Sequence, residues 1–265
     1  MISIQDPFDP RVSPYSLLKS KEETSDCFIA DNEKTVVRLL ESDLEVVSIF
    51  ATERFIRKHL WLMEKKKIEP TNIFYAEKTV FEKTIGFSVH QGIMALGKKP
   101  ISILVKDLKL PIVVCNNISD AENFGSIIRT SAAFGIKSII YDKQSSSPYL
   151  RRSVRVSMGN GFPLHFFKSD SLYDLIQEYR QENIPVIGLA LPNIANNKKQ
   201  LVSEIFEFQF PEKYLLVLGN EADGIDAELK SICDHLVYIP MSDGVDSLNV
   251  SHSLAVALAF SRLIP

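Results

Sequence analysis

The chain has 265 residues, 45% hydrophobic and 24% charged, the balance of a globular protein with one large domain or two modest ones. Its 30 basic and 33 acidic residues leave a net charge of −3, which excludes a polycationic coat and confines any nucleic-acid contact to local patches. Cys27, Cys115 and Cys233 are far apart and without metal-ligand spacing, no apolar run reaches membrane-span length, and the N-terminus lacks a secretion signal, so we expect a cytoplasmic protein with reduced thiols, no metal and no membrane.

In chain order, Pro7, Pro10 and Pro14 suggest that residues 1–25 form an extended arm. Asp31 or Asn32 can cap a helix over Glu33 to Leu40, whose apolar face is Val36, Val37, Leu39 and Leu40. Residues 45–50 read as a strand, 53–67 as a helix, 72–75 as a short strand, 78–83 as a helix and 92–96 as a strand, an α/β sandwich pattern. Lys98-Lys99-Pro100 reads as a linker. Five apolar runs follow, at 112–114, 138–141, 185–189, 215–218 and 236–239, and a final helix spans 250–263. Continuous apolar strands alternating with helices predict a parallel sheet covered on both faces. The expected division is an N-terminal arm and α/β domain over 1–97, a linker over 98–107 and a parallel-sheet domain over 108–265.

Ligands of parallel α/β sheets sit beyond the carboxyl ends of the strands, and three polar clusters fall there. The first is Asn123-Phe124-Gly125-Ser126-Ile127-Ile128-Arg129, opening a helix expected over 126–134. Asn123 can be a plain helix cap or a cleft residue, and Arg129 has apolar neighbours that turn its head toward a cleft or a partner. The second cluster is Leu218-Gly219-Asn220-Glu221-Ala222-Asp223-Gly224; glycines permit a tight turn, but a turn does not need Glu221. The third is Ile239-Pro240-Met241, Ser242-Asp243-Gly244-Val245-Asp246, then Ser247-Leu248-Asn249-Val250-Ser251. In extended backbone Ser247 and Asn249 project to one side, and either can also cap the last helix.

The ordered set resembles the three motifs of the SpoU/TrmH branch of the SPOUT methyltransferases, which methylate a ribose 2′-hydroxyl in RNA with S-adenosylmethionine. The resemblance covers 108–265 strongly. It covers 28–97 weakly, through Phe28-Ile29-Ala30, Val36-Val37-Arg38-Leu39-Leu40 and His90-Gln91-Gly92, which look like the family's substrate-binding domain. It implies that Gly219, Ile239 and Leu248, with Leu218 and Met241, surround the cofactor. It implies that Asn123, Arg129, Glu221, Ser247 and Asn249 are the catalytic polar set. It also implies a deep trefoil knot and a homodimer with cofactor pockets beside the interface. The family often shows Asp-Pro where Ala121-Glu122 stand, and usually a glycine near position 32, where this chain has Asn32. The family's arginine, which the resemblance places at Arg129, is often assigned as the base, but a guanidinium stays protonated, so holding a phosphate or a developing alkoxide is an equally physical role.

RNA, whether tRNA or rRNA, is the expected partner. Two basic clusters could meet it: Arg54, Arg57 and Lys58 with Lys65, Lys66 and Lys67 on one helix, and Arg151, Arg152 and Arg155 in five positions. Each is otherwise a solvated charged face. The rival to an enzyme is a non-catalytic RNA-binding protein with a decayed methyltransferase fold, against which the full polar set counts. A nucleotide-binding oxidoreductase lacks its Gly-x-Gly-x-x-Gly fingerprint here.

Overall fold

The computed structural model describes residues 1–16, 26–89, 91–101, 103–191, 201–245 and 247–262, and for Arg262 the backbone alone. His90, Asp246 and Leu263, each part of a reading above, lie outside the described residues, as do 17–25 of the expected arm. The chain divides into two compact units, Met1–Ile101 with Ser147–Pro163, and Ser102–Ser146 with Leu164–Pro265. Residues 147–163, with Arg151, Arg152 and Arg155, therefore pack with the first unit, where a division in simple chain order places them in the second.

The first unit is built on a mixed sheet of β1 (Ile2–Ser3), β2 (Cys27–Asp31), β3 (Val46–Thr52), β4 (Ile73–Ala76) and β5 (Ile93–Lys98), in the order β1-β4-β3-β5-β2. On one face pack α2 (Glu33–Glu41) and α3 (Glu53–Lys65), which bury Val36, Leu39, Ile56 and Leu62 against Ile49 and Ala95. On the other, α1 (Ser13–Ser16) and α4 (Lys78–Ile85) bring Tyr15 and Phe81 against Phe50. The expected arm is in part a strand. Ile2 and Ser3 pair in parallel with Phe74 and Tyr75, and Ile4, Val12 and Tyr15 are buried. Pro10 opens a 3-10 turn over Pro10–Val12 and Pro14 lies in the first turn of α1, so neither prevents burial. Asn32 has a φ of 73°, a region that favours glycine, and its Oδ1 accepts from the Thr35 amide at 3.0 Å, capping α2. A left-handed entry to that helix is thus kept with an asparagine.

The second unit is a parallel sheet of seven strands: β6 (Ile112–Cys115), β7 (Ser138–Tyr141), β8 (His165–Lys168), β9 (Val186–Leu189), β10 (Leu201–Glu204), β11 (Leu215–Leu218) and β12 (His235–Tyr238). Their order is β10-β12-β9-β11-β6-β7-β8. The two-residue period of a strand sends Leu216 and Leu218 to one face and Leu215 and Val217 to the other. The first face is covered by α5 (Ala121–Ala133) and α9 (Val250–Arg262), and the second by α7 (Leu172–Gln181) and α8 (Ala227–Ser231). A shorter helix, α6 (Arg151–Val156), belongs to the first unit, where Val154 joins the core. No described helix is long and apolar enough to cross a membrane.

Candidate active site

All seven strands of the second sheet run parallel, so the carboxyl ends of β6, β11 and β12 open on one edge. The second and third polar clusters begin where β11 and β12 stop, and the first follows β6 across residues 116–120. After β6, Asp120 caps α5 by accepting from the amides of Glu122 and Asn123 at 2.9 and 2.8 Å. The helix thus starts at Ala121, five residues before the expected start, and Asn123 is not its cap. Its side chain lies in the first turn and is free to act elsewhere.

That side chain joins the three clusters. Asn123 Nδ2 donates to Glu221 Oε1, and Asn123 Oδ1 accepts from Asn249 Nδ2 at 2.8 Å. Asn249 Oδ1 in turn accepts from the Ser251 amide at 2.9 Å and the Ser251 hydroxyl at 2.7 Å, which caps α9. Asn249 therefore does both jobs that the sequence left open. Polarity is fixed along this chain: the carboxylate can only accept, so Asn123 must present its NH2 to Glu221 and its oxygen to Asn249.

The Gly219–Gly224 turn is shaped by its backbone. Asn220 and Gly224 exchange two hydrogen bonds of 3.0 and 2.9 Å, and Asn220 Nδ2 donates to the Asn117 carbonyl at 2.9 Å. Gly224 takes a φ of 72°. A Cβ on Gly219 would lie 2.1 Å from the Gly224 carbonyl carbon and 2.2 Å from the Ile225 nitrogen, so only glycine fits. Behind this turn, Asn116 Nδ2 donates to Asp142 at 3.0 Å and to Asp226 at 2.8 Å, and Asn116 Oδ1 accepts from the Asp226 amide. This brace, buried at Asn116 and Asp142, was not legible in the sequence, because its members stand 26 and 110 positions apart.

A cleft at this edge is lined by Leu218, Gly219, Ile239, Met241 and Leu248, together with Glu221 and Ser247. Leu248 is 39% exposed, an apolar side chain left open to an occupant. The backbone cradle at Gly219, the apolar wall and the polar rim suit an adenosine-sized ligand with a charged tail. Sequence reasoning missed Lys230, which also lines the cleft, is only 6% exposed and is the one basic side chain among its described lining residues. Burial holds its ammonium below the usual lysine range. Its position in an ordinary-looking helix gave no signal. Arg129 stands apart. It is exposed on α5, its side chain makes no hydrogen bond or ion pair among the described residues, and it does not line the cleft. Six residues along a helix also turn it about 120° from Asn123.

The two basic clusters differ in kind. Arg151 pairs with Asp31 at 2.6 Å and lies 5.0 Å over the Phe87 ring, while Arg155 stands 3.9 Å from the same carboxylate. Asp31 is 5% exposed, so Arg151 is committed to neutralising a buried charge within the first unit. Arg54, Arg57 and Lys58 are exposed on α3; Arg57 pairs with Glu53 and Lys58 with Glu33, each at 2.6 Å.

Comparison with known proteins adds to this geometry. A family model described as the SpoU rRNA Methylase family matches residues 111–259. An uncharacterized tRNA/rRNA methyltransferase of Mycobacterium bovis is 26% identical over 264 residues, covering 96% of this chain and 88% of the relative. A 23S rRNA (guanosine-2′-O-)-methyltransferase of Pasteurella multocida is 28% identical over 206 residues, 74% of this chain and 80% of that protein. Among solved structures, an AdoMet-bound rRNA methyltransferase from Sinorhizobium meliloti superposes with a TM-score of 0.82 at 19% identity, covering 98% of this chain and 97% of the other. The SpoU methyltransferase AviRb of Streptomyces viridochromogenes, in complex with AdoMet, gives 0.76 at 19% identity over 96% and 97%.

Proposed function

The chain belongs to the SpoU rRNA methylase family, and from that premise we propose that it transfers a methyl group from S-adenosylmethionine to a ribose 2′-hydroxyl of tRNA or rRNA. The observation that carries the reading is the Glu221–Asn123–Asn249 hydrogen-bond chain, which ties three sequence-distant clusters together at the rim of a cleft. A decayed fold has no reason to keep that chain and the Gly219 cradle together.

In this reading Leu218, Gly219, Ile239, Met241 and Leu248 hold S-adenosylmethionine by their backbone and apolar atoms. When bound, it supplies an electrophilic methyl on a sulfonium, which passes to the ribose oxygen while that oxygen gives up its proton and the sulfur keeps the bonding electrons. The chain's own residues supply position and charge, which govern such a displacement. Ser247 and Asn249 orient the hydroxyl, and Glu221 fixes the loop through Asn123. Glu221 and Asp223, the two carboxylates among the described residues lining the cleft, are acceptors available to the departing proton. The Arg129 guanidinium, which does not line its own cleft, holds the adjoining phosphate or the developing alkoxide at the cleft of a second chain.

Two finer statements belong to the same reading. A deep trefoil knot has its support in the match of fold over nearly the whole chain. A homodimer has its support in α9, where Ala255, Val256, Ala259 and Phe260 are apolar yet only half-buried, and in Phe206, 59% exposed and 5.1 Å from the Phe260 ring. Arg129, turned away from its own cleft's rim, also gains a role when a second chain packs against α5.

Calorimetry on protein stripped of co-purified ligand tests the cofactor assignment. One site per chain for S-adenosylmethionine is expected. Failure to bind either S-adenosylmethionine or its demethylated product would remove it.

A further inference from the structure

The outer face of α3 carries Arg54, Lys58, Trp61 and Lys65, all exposed and all within an arc of about 60° at 3.6 residues per turn. Its inner face is Phe55, Ile56, Leu62 and Met63, buried against the sheet of the first unit. Trp61 is thus turned away from every core its helix serves and is 60% exposed. A solvated helix face accounts for the charges but not for a large indole at its centre. Lys58 shares Glu33 with His59, whereas Arg54 and Lys65 form no ion pair among the described residues. The acids of the outer surface, Glu53 and Glu64, fall to one side of the stripe, and Glu53 is already paired with Arg57. What results is a flat aromatic ring flanked by cations on both sides along the helix axis. Protein surfaces that bind single-stranded nucleic acid combine these two features, since every base has a face to stack and every nucleotide a phosphate to neutralise.

We propose that Trp61 is a stacking platform for an unpaired nucleobase of the RNA substrate, with Arg54, Lys58 and Lys65 engaging the phosphates on either side. The proposal rests on the reading of the chain as an RNA methyltransferase and deepens it, since it assigns the first unit an unpaired segment of the target rather than a duplex.

Trp61 is the single tryptophan of the chain, so its emission reports this site and no other. Titration of the full chain with a single-stranded oligoribonucleotide of about a dozen residues should quench that emission, and a blunt duplex of matching sequence should not. Affinity for the single strand should fall about tenfold in Trp61→Ala, within the range known for loss of one stacked base, and persist in Trp61→Phe. Cofactor affinity, measured on the same preparations, should be equal in all three proteins and serves as the control for folding. Three results would each overturn the proposal: unchanged emission at saturating single strand, equal quenching by the duplex, or wild-type RNA affinity in Trp61→Ala. So would a shift of emission on concentrating the protein alone, which would place a second copy on this face. Failure of this proposal is separable from failure of the methyltransferase reading, because methyl transfer by the unaltered chain is scored independently of quenching.

Discussion

Asn123 shows why a residue's role depends on which neighbour takes the cap. Asp120 satisfies the first amides of α5, and this releases the Asn123 amide to bridge Glu221 and Asn249 across 98 and 126 positions of chain. Sequence alone leaves cap and cleft equally open, because both uses want the same short polar side chain. The bridge makes a sharp prediction. Asn123→Ala should lower methyl transfer about a hundredfold while S-adenosylmethionine affinity stays within about threefold, since small misplacements of a positioned group cost that much rate. Parallel losses in both measurements would assign Asn123 to cofactor binding. Gly219→Ala should do the reverse, because its Cβ collides with backbone that cannot step aside. Loss of cofactor binding by calorimetry is expected, and a wild-type affinity would show that the turn is not the cradle. The glycine, glutamate and leucine of the cleft were legible from turn chemistry and family resemblance together. Lys230 and the Asn116 brace were not, because each becomes special only once distant strands meet.

At the scale of elements, the central strands of the second unit were readable and its edges were not. β6, β7 and β11 are buried throughout, so both faces demand apolar residues and the sequence shows unbroken runs. β8 and β10 are edge strands with half-exposed or exposed side chains, and His165-Phe166-Phe167-Lys168 or Leu201-Val202-Ser203-Glu204 carry no such run. In the first unit, α2 is anchored by Glu33, which meets Lys58 at 2.6 Å and His59 at 2.7 Å. Lys58, and after it His59, hold the Glu33 carboxyl below its ordinary value of 4.5. A depressed carboxyl stabilises the fold above the unfolded value, and that contribution fades as pH falls through the folded one. The stability gap between the unaltered chain and Glu33→Gln should thus be about 1 kcal/mol or less at pH 7, as befits a partly solvated pair, and should close below pH 4.5. Urea denaturation at several pH values measures it; a gap that widened on acidification would reverse the sign assigned here.

The whole molecule departs from chain order at one place. Tyr149, Val154 and Phe162, reached between β7 and β8 of the second unit, pack in the core of the first, with Phe28 ring to ring with Tyr149 at 5.4 Å and with Phe162 at 5.5 Å. Nothing in periodicity announces which domain an inserted helix will join, so the sequence could not show it. A fragment starting at residue 103 would therefore expose that apolar set, and light scattering should show it aggregating where the full chain does not. A monodisperse fragment would mean that the inserted segment finds cover without the first unit. The measurement that bears most directly on the central claim is transfer of labelled methyl from S-adenosylmethionine to RNA from cells lacking this protein, followed by alkaline hydrolysis, which cannot cleave beside a 2′-O-methyl group. Label retained in alkali-resistant dinucleotides, and absent with an Arg129→Ala protein that still binds cofactor, is the predicted result. Label released as base-methylated mononucleotides, or equal transfer by the Arg129→Ala protein, would contradict it.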